Sequence, residues 1–386
     1  MGNHFDVIVA GVGGMGSAAC FALAKRGKRV LGLEQFDIPH TRGSSHGHTR
    51  IIRLAYYEHP SYVHLLKRAY ELFHEIEAHT GEQVLHYTGS IDAGPADSSV
   101  FSGALLSATQ FDLPHEVLTS AELTQRFPGY RFPRDHMALF QPQGGFLLPE
   151  RCIVNYVNAA LALGADVHGR ERVLAYEPTP SGGVRVRTDR SEYFADKLII
   201  TAGAWDDRLV PHLRGLAVPE RQVLAWLRPL QPDLFRPDTF PVFNALLPEG
   251  RFYGFPQFGI PGFKFGKYHH FEETGDPDTL IRGDGGEPRP DDEAMLRDFA
   301  TQYFPDAAGP TLTLVSCMFT NTPDGHFIID MHPELPQVVY ASPCSGHGFK
   351  FTSVIGEILA ELAVDERTRW DISLFRADRF NLKSEI

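Results

Sequence analysis

Apolar positions along the chain follow two different rhythms. The first is an apolar run at residues 5–10, a glycine-rich turn, an Ala-rich segment and, after Lys28-Arg29, a second apolar stretch at 30–33 that closes on Glu34. Short apolar runs flanking a helical segment predict a strand–helix–strand unit with parallel strands. Residues 61–79 then place Tyr62, Leu65, Leu66, Ala69, Leu72, Phe73 and Ile76 at helical spacing, with Gly81 as a stop. Another amphipathic helix opens at Pro149, carries Ile153, Val154, Tyr156, Val157, Ala160 and Leu161 on one face, and ends at Gly164. Residues 165–167, 172–176, 183–188 and 197–201 read as strands returning to the first sheet. Between 85 and 148 the runs are short, mixed and rich in Gly and Pro. From about 220 to 316 the second rhythm takes over: Phe240, Phe243, Phe252, Tyr253, Phe255, Phe258, Phe263 and Phe265 stand among prolines and glycines. That pattern suits an antiparallel sheet roofing a pocket better than a helical bundle. Residues 349–362 return to helical spacing, just after Ser345-Gly346-His347-Gly348.

The turn between the first strand and helix reads Gly11-Val12-Gly13-Gly14-Met15-Gly16. Gly11 permits the tight turn, Gly13 lets the backbone approach a pyrophosphate, and Gly16 lets helix and strand pack closely, while the helix N-terminus offers amides to the phosphates. Glu34, ending the second strand, can accept both hydroxyls of an adenosine ribose and would repel a 2′-phosphate. NAD or FAD is therefore expected, and not NADP. The expected architecture is α/β (α+β): a discontinuous Rossmann-like dinucleotide-binding domain of residues 1–84, 149–219 and 317–386, with a second, mainly antiparallel-sheet substrate domain of residues 85–148 and 220–316.

Composition adds exclusions. With 386 residues, 43% hydrophobic, the chain is long enough for two cores. A formal net charge of −12 argues against nucleic acid, so an anionic substrate would need a local positive pocket. Cys20, Cys152, Cys317 and Cys344 have no CxxC or Cys/His metal spacing, which predicts no metal site and a reducing compartment. No apolar run approaches a membrane span and no leader precedes the first strand, so a cytoplasmic protein is expected.

Further motifs occur in a fixed order: Gly43-Ser44-Ser45-His46-Gly47-His48-Thr49-Arg50-Ile51-Ile52-Arg53, Tyr253-Gly254 before Lys264, Cys317-Met318-Phe319-Thr320, Asp324 to Asp330, and Ser345 to Lys350. With the glycine motif and Glu34, they make the whole chain resemble the monomeric sarcosine oxidase and N-methyltryptophan oxidase family, a branch of the glycine/D-amino-acid oxidase superfamily. The resemblance implies a monomer carrying FAD, attached covalently, that oxidises the C–N bond of a secondary amino acid with O2 as acceptor. Alternatives are a flavin dehydrogenase of proline or pipecolate type using another acceptor, and a non-catalytic flavin protein.

On the same resemblance, Cys317 forms the flavin thioether; Cys344, beside the Ser345–Lys350 turn, is the competing thiol. Arg53 and Lys350 hold the substrate carboxylate, a planar fork and a point charge, and Tyr56 and Glu58 match pocket-side positions. Arg50 is a tuning charge near the flavin with His46 and Thr49; if its segment is helical it shares a face with Arg53. Gly346, His347 and Gly348 turn toward the cofactor. Lys264 is the oxygen-activating residue, on the opposite strand face from Phe263 and Phe265. Relatives place a histidine close behind that lysine, and of Tyr268, His269 and His270 we select His269. Tyr253 lines the pocket, and Phe319 stands where sarcosine-specific members carry tyrosine.

Overall fold

The computed structural model describes residues 4–281, 286–342 and 344–380; the outer ends of the expected domain segments, 1–3 and 381–386, lie outside them. The first rhythm builds an eight-stranded sheet. Its order runs Val173–Pro178, Val184–Thr188, Glu192–Ile200, His4–Ala10, Val30–Leu33, Asp166–His168, with Val338–Ser342 and Ile328–Met331 attached beside Glu192–Ile200. His4–Ala10 lies parallel to both neighbours, Ala10 opposite Leu33 on one side and Ile200 on the other. These strands are covered on both faces, which is why Val7 to Ala10 reads as an unbroken apolar run, all buried.

Helix Gly14–Lys25 leaves the first strand and packs against Thr352–Asp365 and Pro149–Ala162. Its small residues permit the approach: a Cβ added at Gly356 would stand 2.6 Å from the Ala18 backbone. The expected helices appear as Tyr62–Thr80, capped by Gly81 at φ 73°, and Pro149–Ala162, with Gly164 at φ 91° beyond it.

The second rhythm builds the other eight-stranded sheet, in the order Thr311–Asn321, Val218–Leu227, Phe263–Lys267, Gly250–Phe255, Val242–Leu247, Ser90–Pro95, His136–Gln141, Glu116–Thr119. All its pairings are antiparallel except Val242–Leu247 with Ser90–Pro95. Phe240, Phe243, Phe263 and Phe265 form one core with Phe299 and Phe304 from helix Pro290–Tyr303 and its end. Two expected domain boundaries fall inside strands of this sheet. Val218–Leu227 and Thr311–Asn321 pair along their lengths, so position 317 lies on the edge strand of the antiparallel sheet. The stretch 85–148 is more varied than its composition suggested: it contributes helices Ser99–Gln110 and Ser120–Arg126, and two strands, Leu85–Tyr87 and Gly145–Leu147, that join Arg50–Ile52 in a small third sheet.

Candidate active site

The glycine turn lines a cleft together with Glu34, Ser44, Ser45, Arg172, Thr201 and Trp205. Each expected glycine has a distinct reason. Gly11 is at φ 94° against the backbone of Thr201, Gly16 packs on the Gly11 carbonyl, and a Cβ at Gly13 would meet nothing within 4 Å because that position faces open space. The first intrahelical bond runs from Ser17 N–H to Gly13 O, 3.0 Å, which leaves the turn's amides at the cleft. Glu34 is buried; its Oε2 accepts from Val12 N–H at 2.9 Å and its Oε1 from Phe36 N–H at 3.0 Å. Burial raises its pKa while these backbone donors oppose the rise. The cleft runs from the glycine turn past Glu34 to Arg172 and Trp205, an elongated lining of the kind an extended dinucleotide needs.

Met15, Ser44, Ser45 and Cys344 line both this cleft and a second cavity. The two adjoin across these residues. The second cavity is walled by Arg50, Arg53, Tyr253, Phe255, Tyr268, Cys317, Phe319 and the turn Gly346 to Lys350. Its near side holds a cationic group around one thiol. Arg50 donates to Ser44 O at 2.8 Å and Thr49 O at 2.9 Å, and its Nη2 reaches Cys317 Sγ at 3.5 Å. Burial alone would raise the Cys317 thiol, but the buried His46 imidazole and Arg50 bring it down to about 6. Cys344, without those neighbours, is pushed up to about 12 by burial. Lys264 Nζ contacts Gly47 O and Thr49 O at 2.7 Å and Thr49 Oγ1 at 2.9 Å, with burial and then Arg50 lowering its pKa well below the usual lysine value. Glu150, which the sequence did not single out, fixes this loop by accepting from Gly47 N–H at 2.7 Å and His48 N–H at 3.1 Å.

The far side is built around Arg53. Arg50–Ile52 is a strand, not a helix, so Arg50 and Arg53 do not share a helical face. Arg53 is buried, with Nη2 at 3.1 Å from Glu58 Oε2 and Nε at 3.2 Å from Asp92 Oδ1, and it stacks on Tyr56 and Tyr57. Burial raises Asp92 to about 7 against the pull of Arg53. Lys350 Nζ donates to His347 O at 2.7 Å and lies 3.4 Å from Tyr56 Oη; burial and Arg53 lower it to about 7. His347 Nε2 lies 2.9 Å from the Gly325 carbonyl, which only accepts, so Nε2 carries the proton and Nδ1 accepts from Tyr56 Oη at 2.7 Å. Burial lowers His347 to about 4, so the ring is neutral at pH 7.

Two placements differ from expectation. His269 turns away at φ 53°; its Nδ1 is 2.9 Å from Glu220 Oε2 and its side chain is 51% exposed. Tyr268 occupies the cavity wall instead, its ring 5.1 Å from that of Tyr253 and 5.4 Å from that of Phe319. Strand alternation from Lys264 would have selected Tyr268, since positions 264, 266 and 268 share a face. Gly346, at φ 73°, leaves room for the Phe319 ring, which a Cβ there would meet at 2.7 Å. Arg251, two residues before the Tyr253-Gly254 motif, and Asp92, on a strand with no motif, were also missed.

A dinucleotide cleft that adjoins a cation-lined cavity suits a redox enzyme that delivers a cofactor ring to a small anion. The family model described as DAO, FAD dependent oxidoreductase, matches residues 6–362. Monomeric sarcosine oxidase of Bacillus sp. (strain B-0618) is 42% identical, covering 100% of this chain and 99% of that protein. Peroxisomal sarcosine oxidase of Homo sapiens is 35% identical (97% and 96% covered), and N-methyl-L-tryptophan oxidase of Yersinia pestis (strain Pestoides F) is 34% identical (97% and 99% covered). Among solved structures, NikD, an unusual amino acid oxidase, aligns with TM-score 0.82 at 26% identity over 97% of both chains. L-proline dehydrogenase from P. horikoshii aligns at 0.83 over 99% of both, but at 20% identity this is a likeness of fold alone. The chain belongs to this family of FAD-dependent oxidoreductases. FAD, not NAD, is therefore the dinucleotide that the glycine cradle and Glu34 fit.

Among the described residues no helix is long and apolar enough to cross a membrane, and no group of three or more His, Cys, Asp or Glu is arranged to hold a metal.

Proposed function

We propose that this protein is an FAD-dependent oxidase of N-alkyl amino acids, sarcosine and its N-methyl relatives, that reduces O2 to H2O2. The observation that carries the reading is the convergence of Arg53 and Lys350 on a cavity that adjoins the nucleotide cleft. A substrate carboxylate there meets a planar fork and a point charge, which orients the α-carbon and its nitrogen. FAD, when bound, supplies the acceptor for hydride from the carbon next to nitrogen. Water then hydrolyses the imine, so that an N-methyl amino acid, O2 and water yield the primary amine, formaldehyde and H2O2.

Side chains of the chain carry the rest. The cations around the cavity lower the pKa of a bound ammonium, favouring the neutral amine from which hydride leaves, so no dedicated base is required. Neutral His347 and Tyr56 hold Lys350 in place. Lys264, taking up a proton as negative charge develops on oxygen, stabilises that charge. Cys317 carries the flavin through a thioether; its thiol near 6, against about 12 for Cys344, supports that choice. A monomer in a reducing compartment, the cytoplasm, completes the reading, supported by four unpaired cysteines.

The test is oxygen uptake on sarcosine with peroxide and formaldehyde assayed together. One of each per O2 consumed is expected. Electrons passed only to a quinone or dye would overturn the oxidase reading.

A further inference from the structure

Arg251, in strand Gly250–Phe255, stands beside the cavity without a carboxylate. Its guanidinium carbon lies 3.5 Å from the Tyr268 ring centroid and 5.4 Å from that of Tyr57. Among the described residues it has no ion-pair or side-chain hydrogen-bond partner. Arg53 offers the contrast: it stacks on the same Tyr57 ring at 4.7 Å and is held by both Glu58 and Asp92. Arg53 thus has two acidic neighbours, whereas Arg251 has none within ion-pair distance among the described residues.

Stacking occupies the face of a guanidinium and leaves its N–H edge, the edge that grips carboxylates bidentately, available. A half-buried guanidinium with an unfilled edge gains most from an anion brought by the ligand. Tyr268, which Arg251 covers, lines the cavity, and the charge of Arg251 is felt by Lys350, His347 and Glu58 around it. Since the chain's net charge is −12, a dianion would be attracted only by such local cations.

We infer that Arg251 binds a second carboxylate of the substrate, so that the preferred substrate is an N-alkyl amino acid with an acidic side chain. The inference rests on the oxidase reading above: the α-carboxylate lies on Arg53 and Lys350, the side-chain carboxylate on Arg251, and the ring of Tyr268 between them.

The test compares isosteres on the holoenzyme: N-methyl-L-glutamate against N-methyl-L-glutamine, and N-methyl-L-aspartate against N-methyl-L-asparagine, with sarcosine alongside. Anaerobic flavin reduction is followed as a function of concentration. We expect at least one acid to exceed its amide by about tenfold or more in kcat/KM, mostly through KM, with the ratio falling toward one in Arg251→Met and retained in part in Arg251→Lys. Acid-to-amide ratios near one in the unaltered enzyme, with sarcosine still reducing the flavin, would overturn the inference alone, and need no variant to fold. A ratio unchanged in a folded Arg251→Met enzyme would overturn it equally. Failure of every secondary amine, sarcosine included, would overturn the oxidase reading and this inference with it.

Discussion

The nucleotide cleft and the cation-lined cavity adjoin each other but are built by opposite means. The cleft is made of backbone: Gly11, Gly13 and Gly16 act by what they lack, and the one essential side chain, Glu34, ends the neighbouring strand. The cavity is made of side chains drawn from all over the chain, Arg53 from the loop after strand Arg50–Ile52, Tyr253 and Tyr268 from the antiparallel sheet, Cys317 from its edge, Lys350 from the turn before the last helix. At Gly11 and Gly16 the backbone site has no room for an added atom, whereas a side-chain site tolerates exchange and changes its preference. This difference lets one fold keep its cofactor while its substrates vary.

The largest effect should come from the cleft. Gly16→Val would drive a side chain into the Gly11 carbonyl, and the purified protein should carry no flavin, read from its visible absorbance. Cys317→Ser should bind FAD but release all of it on acid precipitation, whereas Cys344→Ser should not. Because the thiolate attacks, flavin attachment to apoprotein should quicken as pH rises through about 6 and then level off. A rate still climbing at pH 9 would indicate the thiol pushed up to about 12.

Smaller effects test the cavity. Lys264→Met should slow reoxidation of reduced enzyme on the order of 100-fold while changing flavin reduction much less, as stopped-flow traces would separate. Lys350→Met should raise the KM for sarcosine about tenfold. It is a cleaner probe than Arg53→Met, which would leave Glu58 and Asp92 buried without their cation and destabilise the fold by about 3–5 kcal/mol. At the small end, His269→Ala should stay within about twofold of the unaltered enzyme, its ring being half exposed on Glu220, whereas Tyr268→Ala should change substrate preference.

What was legible in the sequence follows the same division. The glycine unit and Glu34 were readable because strand, turn and helix are local, and each residue's reason lies within its own unit. Helices Tyr62–Thr80 and Pro149–Ala162 were readable from periodicity and their Gly stops. The cavity was readable only in part. Choosing between Cys317 and Cys344 needs the charges of His46 and Arg50, hundreds of residues earlier. Asp92, on a strand with no motif, emerges only when the fold sets it against Arg53. Tyr268 was within reach, since alternation from Lys264 runs past the end of strand Phe263–Lys267; a search for histidine near that lysine led instead to His269. The expected boundary at 317 falls inside strand Thr311–Asn321, whose long-range pairing with Val218–Leu227 leaves no local mark in the sequence.

The central claim is that the cavity presents a secondary amino acid to a flavin lodged in the cleft. It is tested most directly by recording the visible spectrum of the purified protein under nitrogen before and after adding sarcosine. The oxidised flavin band should be present at the start, bleach on addition, and return when air is admitted. A flavin band left unchanged by sarcosine, by larger N-methyl amino acids and by their acidic members would contradict the claim.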